Sequence, residues 1–294
     1  MRPPASKSTS LRRRGRACSS TPPLRSRRTT GTPDVDLGIR GRRAIVTGGS
    51  KGIGLAVARE FVSEGVSVAI CARTANEVDD AAAELRALGG TVYSQRADVT
   101  DADQVSEFIV NAAEALGGVD ILVNNAGAAH PGGFATLTDE AWQGDVDVKL
   151  FSQIRCSRAA LPYLRQSEAP RIINVNAVYA RYPDPKFFAT TVVRAACLNF
   201  SKVLALELGP EGILVNSVNI GFVVTPQWTN IHQIQAPELS TEEFFAARAA
   251  SEVPLGRFGT VEETSGMIAF LASDRASYIT GASIDIAGGM GKYV

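Results

Sequence analysis

The sequence predicts an α/β fold, with a doubly wound parallel sheet of about seven strands in a single domain. Short apolar runs alternate with longer stretches whose apolar residues recur every three or four positions, a pattern typical of βαβ units. The length of 294 residues suits one such domain and a tail. The composition, with 45% hydrophobic and 20% charged residues, is ordinary for a globular chain.

The predicted strands are short and leave room for a helix between each consecutive pair. They cover residues 44–47, 67–71, 91–96, 121–124, 171–174, 214–218 and 283–286. Predicted helices include residues 54–64 and the long segment 191–208. Because a sheet of this kind binds ligands at the carboxyl ends of its strands, functional residues are expected directly after each strand.

The beginning of the chain differs from the rest in charge. Residues 1–33 carry Lys7, eight arginines and no acid, whereas the remaining chain has 21 basic and 30 acidic residues, a net charge of −9. We expect a disordered basic tail over residues 1–35 and a folded domain over residues 36–294. An upstream start codon in the gene would explain the tail, and its Arg/Ser-rich composition also resembles an organelle transit peptide. A twin-arginine export signal is not indicated, since no apolar region follows the arginines.

Composition and charge argue against several classes of partner. A body with a net charge of −9 is a poor nucleic-acid binder. The sequence has no apolar run of 18 residues, so a membrane span is not expected. The four cysteines are scattered, without a Cys-x-x-Cys pair or a histidine cluster. We therefore predict no metal site and no disulfide framework, and a cytoplasmic location.

A dinucleotide site is predicted where the first strand ends. The segment Thr47-Gly48-Gly49-Ser50-Lys51-Gly52-Ile53-Gly54 joins this strand to a helix. Glycines permit a tight turn close to a pyrophosphate, and the helix N-terminus offers N–H donors and positive potential. The loop in this context predicts a fold of the Rossmann type, with cofactor contacts from Gly48, Ser50, Lys51, Ile53 and Gly54. The alternative is a plain strand-to-helix turn.

The residues after the second strand bear on the choice of cofactor. An NAD site usually has an acid there for the ribose hydroxyls, but this chain has Cys71-Ala72-Arg73. A guanidinium matches phosphate geometry, so Arg73 together with Lys51 is expected to bind a 2′-phosphate. NADP(H) is therefore predicted in preference to NAD(H). The alternative is that both side chains are solvated surface charges.

The spacing Thr47-Gly-x-x-x-Gly-x-Gly54 resembles the fingerprint of the short-chain dehydrogenase/reductase family. Further motifs agree over about residues 38–292: Asp98-Val99, Asn124-Asn125-Ala126-Gly127, and the segments 254–259 and 278–281. The chain resembles 3-oxoacyl-carrier-protein reductase-like members, in a divergent subgroup without the usual catalytic residues. The resemblance implies a homotetramer or homodimer and a substrate lid over about residues 225–254. It also implies cofactor contacts from Asp98, Val99, Asn125, Ala126, Gly127 and Thr225.

The family's usual catalytic residues are an Asn, a Ser and a Tyr-x-x-x-Lys pair on one helix face. The lysine lowers the phenol pKa, and the phenol exchanges a proton with the substrate. The literal Tyr182-x-x-x-Lys186 of this chain contains Pro183 and Pro185, so a helical pair is not expected there.

Counting along the flanking motifs places four other residues at the family's catalytic positions. Lys149 takes the place of the asparagine, Ala177 of the serine, Thr190 of the tyrosine and Arg194 of the lysine. Arg194 keeps a positive charge for the ribose but is not a proton shuttle, and Thr190 is a far weaker acid than a phenol. Ala177 offers no donor, whereas burial would lower the pKa of Lys149. The usual proton transfer is therefore not available.

Three other side chains are candidates for the proton donor. Tyr179 and Tyr182 follow the serine position, and His130 lies in the loop after the fourth strand. For each, the alternative is a packing or solvated residue without a catalytic role.

The predicted lid carries apolar residues at Trp228, Ile231, Ile234, Phe244 and Phe245. An inner face of this kind would suit a bulky apolar or aromatic ligand, although an ordinary amphipathic helix pair has the same pattern.

The sequence leaves three alternative functions open, and in each of them the protein binds a small molecule. The first is an NADP(H)-dependent oxidoreductase with a non-standard active site, acting on an apolar carbonyl or alcohol. The second is a catalytically silent dinucleotide-binding sensor or scaffold. The third is a non-redox isomerase, dehydratase or cyclase that reuses the pocket.

Overall fold

In the computed structural model, which describes residues 35–128 and 131–291, seven strands form one parallel sheet. The strand order is β3-β2-β1-β4-β5-β6-β7. The strands are β1 (Arg43–Thr47), β2 (Ser67–Ala72), β3 (Val92–Arg96), β4 (Ile121–Asn124), β5 (Arg171–Ala177), β6 (Leu214–Ile220) and β7 (Ser283–Ile286). All seven predicted strands are confirmed, and the order reverses between β1 and β4, where such sheets bind ligands. The predicted basic tail, apart from Val35, lies outside the described residues.

Helices cover both faces of the sheet. They are α1 (Gly52–Ser63), α2 (Ala75–Ala87), α3 (Ala102–Leu116), α4 (Asp139–Val146), α5 (Ser152–Leu164), α6 (Phe188–Leu208), α7 (Pro226–Gln235), α8 (Thr241–Glu252) and α9 (Val261–Ala272). Helices α1, α2 and α9 contribute to one apolar core, and α3, α5 and α6 to the other. The predicted helix 191–208 begins three residues earlier, at Phe188, so it includes Thr190.

The inner strands β1, β2 and β4 are largely apolar because both of their faces are buried. In β1, Ala44 and Val46 pack into the first core, while Ile45 between them packs into the second. A parallel strand covered by helices on both sides needs apolar residues at consecutive positions. This requirement explains why the strands could be recognised as short continuous apolar runs.

Helix α6 and the turn after it are long and apolar enough to span a membrane, with a mean hydropathy of 1.2 over the best window. The segment is not an uninterrupted apolar run, since Arg194, Lys202 and Glu207 lie within it. The helix nevertheless carries Arg194, and the hydroxyls of its Thr190 and Ser201 are hydrogen-bonded inside the domain. These are the features of a helix packed against a sheet.

Hydrogen bonds of the Thr47 side chain connect the carboxyl ends of β1 and β4. Its hydroxyl accepts hydrogen bonds from the backbone N–H groups of Asn125 (3.0 Å) and Ala126 (3.1 Å). The Asn125 amide in turn donates to the carbonyl oxygens of Thr47 (3.0 Å) and Gly48 (3.1 Å). Thr47 is buried, so water does not replace these bonds. The loops that follow the two strands are consequently held against each other.

Replacing Thr47 by Val should destabilise the protein, because it leaves two buried N–H groups without their acceptor. At about 1–3 kcal/mol for each unsatisfied donor, we expect a loss of roughly 2–4 kcal/mol in the free energy of unfolding, measured by urea denaturation. Thr47→Ser, which keeps the hydroxyl, is the matched control and should lose less than half of that. Equal losses in the two variants would mean that the methyl group, not the hydroxyl, is what matters.

Candidate active site

The glycine loop runs from β1 into the N-terminus of α1. Gly48 has a φ of +65°, which favours glycine, and an added Cβ there would lie 3.0 Å from the Cα of Ala126. An added Cβ at Gly54 would collide with the carbonyl oxygen of Gly48. Ser50 is buried, and the Lys51 side chain makes no capping bond to the first turn of α1, whose N–H groups remain for an anion. The loop therefore has the close backbone approach and the donors that a pyrophosphate requires.

The two basic residues predicted to bind a 2′-phosphate lie after neighbouring strands. Arg73 follows β2 and is exposed, and its carbonyl oxygen accepts a hydrogen bond from Arg96 (3.0 Å). Lys51 is not free, since its ammonium pairs with Glu77 of α2 at 2.9 Å. Both partners of this pair are largely exposed, so the pair is weak and a phosphate can compete for the lysine. Glu77 was not identified from the sequence.

The predicted adenine contacts lie after β3. The Asp98 carboxylate accepts hydrogen bonds from the backbone N–H (2.9 Å) and the hydroxyl (2.8 Å) of Thr100, which fixes the turn into α3. Val99 is buried in the core beside it. Ile53, on the first turn of α1, packs against the other core. These residues are therefore held in place on the side of the glycine loop where β2 and β3 lie.

On the other side of the switch point, the segment Asn125–Gly127 meets Arg194 of α6. An added Cβ at Gly127 would lie 3.0 Å from a terminal nitrogen of the Arg194 guanidinium. The same guanidinium donates to the carbonyl oxygen of Val175 in β5 (3.0 Å). Burial lowers the pKa of Arg194, but an arginine remains charged. The structure thus places a fixed positive charge at the ends of β4 and β5.

The four residues at the family's catalytic positions lie on three elements. Ala177 ends β5, and Thr190 and Arg194 occupy successive turns of α6. Lys149 lies in a π-helical turn (Asp147–Phe151) between α4 and α5. Its carbonyl oxygen accepts a hydrogen bond from the Cys197 thiol of α6 at 3.4 Å, which brings the turn against that helix. The positive charge of Arg194, one turn before Cys197 on α6, lowers the pKa of Lys149.

Asp145 joins two of these residues and was missed in the sequence. One oxygen of its carboxylate pairs with the Lys149 ammonium, and the other accepts a hydrogen bond from the Thr190 hydroxyl at 2.9 Å. Asp145 and Lys149 are both fully buried, and Thr190 is 4% exposed. The i,i+4 spacing of Asp145 and Lys149 was a signal, but such pairs are usual on solvated helix faces.

The buried environment changes the acidity of Lys149. Burial, followed by the nearby Arg194 charge, lowers the pKa of Lys149 to about 8, although Asp145 opposes the shift. The Cys197 thiol remains protonated, because burial raises its pKa. Lys149 is thus poised to exchange a proton near neutral pH.

The other proton-donor candidates are less well placed. Tyr179 stacks on Phe187 (5.2 Å between ring centroids), and burial raises its pKa above the usual range. Tyr182 and Lys186 lie in the loop before α6, as the two prolines predicted, and form no helical pair. His130 lies outside the described residues.

The predicted lid is a helix pair, α7 and α8. Trp228, Ile231 and Phe244 are buried and Phe245 is partly buried, but Ile234 is 81% exposed and does not belong to the inner face. The inner face packs on Phe222, whose ring centroid is 4.6 Å from that of Trp228. Thr225 begins α7, with its side chain close to Gly52 of the glycine loop. The lid therefore rests against the cofactor side of the sheet.

Similar proteins point in the same direction as this geometry. The family model described as enoyl-(acyl carrier protein) reductase matches residues 48–291. A ketoacyl reductase of the monensin polyketide synthase of Streptomyces virginiae is 38% identical over 255 residues, which cover 86% of this chain and 98% of the relative. The 3-oxoacyl-[acyl-carrier-protein] reductase of Thermotoga maritima is 32% identical over 252 residues, with 86% and 98% covered.

Solved structures show the same likeness in three dimensions. A short-chain oxidoreductase from Pseudomonas aeruginosa PAO1 that contains an atypical catalytic center has a TM-score of 0.83 and 37% identity, covering 87% of this chain and all of its own. L-Sorbose reductase from Gluconobacter frateurii, complexed with NADPH and L-sorbose, has a TM-score of 0.85 and 32% identity, covering 88% and 100%. The sheet order, the matched motifs and these relatives together show that the chain belongs to the short-chain dehydrogenase/reductase family, as a 3-oxoacyl-[acyl-carrier-protein] reductase-like member.

Proposed function

We propose that the chain is an NADP(H)-dependent oxidoreductase that interconverts an apolar carbonyl compound and its alcohol through a non-standard active site. The observation that carries the proposal is Lys149, which lies buried beside Arg194 with a pKa of about 8. A group with such a pKa supplies or accepts a proton at the pH of a cell. In the usual family site a tyrosine exchanges this proton, and in this chain Thr190 occupies the position of that tyrosine.

The cofactor half of the site supports NADP(H). The glycine loop and the α1 N-terminus would hold the pyrophosphate, and Arg73 and Lys51 the 2′-phosphate. Several structural neighbours, including L-sorbose reductase and an actinorhodin polyketide ketoreductase, were solved with NADPH. The bound cofactor would supply or accept a hydride. Arg194, against Gly127, would fix the nicotinamide ribose, and Thr225 the carboxamide.

The apolar character of the substrate is supported by the lid. One buried aromatic cluster joins α7 and α8 to the rest of the domain and consists of Tyr179, Phe187, Phe222, Trp228 and Phe244. A substrate that enters between the lid and the end of β5 would meet these rings and little hydrogen-bonding capacity, since Ala177 offers no hydroxyl. A carbonyl compound with an apolar body suits this surface better than a sugar does.

Assembly into a homo-oligomer is part of the proposal. The outer face of α6 exposes Val192, Val203 and Leu206, and the same helix carries Thr190 and Arg194 on its inner face. Covering the outer face with a second copy would remove this apolar surface from water and steady the helix that bears the site.

A catalytically silent dinucleotide-binding protein is the second candidate. It is favoured by Ala177, which cannot polarise a carbonyl, and by the complete burial of Lys149. Both candidates require NADP(H) binding, and they differ in turnover.

The cofactor preference can be measured by calorimetric titration with NADPH and NADH. We expect NADPH to bind at least about tenfold more tightly, because a charge-assisted contact to the 2′-phosphate contributes about 1.5–3 kcal/mol. Arg73→Ser should remove most of this preference, whereas Arg158→Ser, at an exposed site on α5, should leave it intact. Equal affinity of the wild type for both cofactors would contradict the role of Arg73.

Catalysis can be measured as NADPH oxidation with a panel of apolar ketones. The reduction rate should fall as pH rises above about 8, since the ammonium form of Lys149 supplies the proton and is lost there. Lys149→Met should lower kcat by about 10²-fold or more while NADPH still binds. The control, Lys202→Met, changes a lysine of α6 that contacts Gly281 and should keep wild-type activity. NADPH binding without oxidation by any ketone would favour the silent protein.

A further inference from the structure

Lys149 cannot deliver its proton directly, because its side chain has no exposed surface. The Lys149 ammonium faces the Asp145 carboxylate, which is buried to the same degree. The Thr190 hydroxyl donates a hydrogen bond to the other oxygen of that carboxylate, at 2.9 Å. Asp145 is therefore the connection between the ionisable lysine and the residue at the family's tyrosine position.

We infer that Asp145 and Lys149 share one proton and pass it to Thr190, whose hydroxyl is the group that protonates the substrate oxygen. The inference rests on the proposed function and deepens it. Thr190 is the catalytic residue in this account, and Asp145 is a positioning and proton-carrying residue that does not touch the substrate.

The transfer balances without a further reactant. In the resting pair the proton lies on Lys149, and Thr190 donates to Asp145. The proton moves first to Oδ1 of Asp145, the oxygen that Lys149 contacts, and the neutral carboxyl group then turns about its Cβ–Cγ bond so that its O–H points to Thr190. The Thr190 hydrogen is then free to turn toward the substrate. As hydride adds to the carbonyl carbon, the C=O π pair moves to oxygen and takes the Thr190 proton, while Thr190 takes that of Asp145. Lys149 is left neutral and Asp145 ionised, and a proton returns by the reverse path through Thr190, which is 4% exposed, after the product has left.

The surroundings make this sharing favourable. Burial penalises both charged partners, so the neutral arrangement of the pair approaches the ion pair in free energy. Arg194 of α6 adds a positive charge that favours release of the proton by Lys149, and Cys197 of the same helix stays neutral. Besides Asp145 itself, these are the described groups that affect the pKa of Lys149.

The first test compares Thr190→Val, Thr190→Ser and Thr191→Val with a ketone that the wild type reduces. Loss of the Thr190 hydroxyl should lower kcat by about 10²-fold or more with unchanged NADPH affinity, and the serine variant should restore most of it. Thr191→Val is the matched control: its hydroxyl bonds the loop at Asp184, outside the network, and activity should stay within about threefold. A Thr190→Val enzyme that keeps wild-type kcat would overturn the donor role.

The second test needs no substrate. In protein with ¹³C-labelled lysine side chains, one resonance, absent from Lys149→Arg, should titrate near pH 8. In Asp145→Asn the titration should move to lower pH, since the carboxylate raises the pKa of Lys149. An unchanged titration would overturn the sharing.

The two tests separate this inference from the proposed function. If none of the ketones tested leads the wild type to oxidise NADPH, the proposed function is wrong, and with it the catalytic role of Thr190. The titration still decides whether Asp145 and Lys149 are coupled. If Asp145→Asn does not fold, Lys149→Arg provides the second variant. It keeps the charge opposite Asp145 but cannot release a proton near pH 8, so kcat should fall by about 10²-fold with NADPH binding retained.

Discussion

The Thr47 hydroxyl is the contact on which the geometry of the site depends. Chains that leave β1 and β4 diverge to opposite faces of the sheet, and the N–H groups at the end of β4 need an acceptor at the point of divergence. Thr47 provides it for Asn125 and Ala126, and the Asn125 amide completes the link to Gly48. The phosphate loop and the segment that meets Arg194 are therefore parts of one rigid edge.

Beside this edge, the residues at the family's catalytic positions still include charged side chains, but at positions different from the usual ones. Two cations, Lys149 and Arg194, lie close together in a buried region, and a single carboxylate, Asp145, lies between Lys149 and Thr190. Burial and Arg194 both lower the pKa of Lys149, and Asp145 opposes them. The family fold is unchanged, and these few side chains distinguish this site from the usual one.

The helix pair α7 and α8 is held in place by aromatic packing. Its aromatic residues pack on Phe222 and Phe258, and Arg248 lies over the rings of Phe222 and Trp228. Such packing orders the helix pair and at the same time lines the approach to β5 with rings. The Arg248 guanidinium among these rings is paired with Glu252 of the same helix at 3.1 Å.

Local sequence determined the strands, the glycine loop and the absence of a helical Tyr-x-x-x-Lys pair, because each depends on residues within about eight positions. Two-sided burial requires continuous apolar strands, tight turns require glycine, and Pro183 and Pro185 prevent a helical pair of Tyr182 and Lys186. Tertiary structure alone decided the partners. The Asp145–Lys149 spacing looks like a surface ion pair until α6 buries it and brings Thr190 from 45 residues away. Likewise, the pairing of Lys51 with Glu77 and the outward orientation of Ile234 follow from long-range packing, which no local pattern encodes.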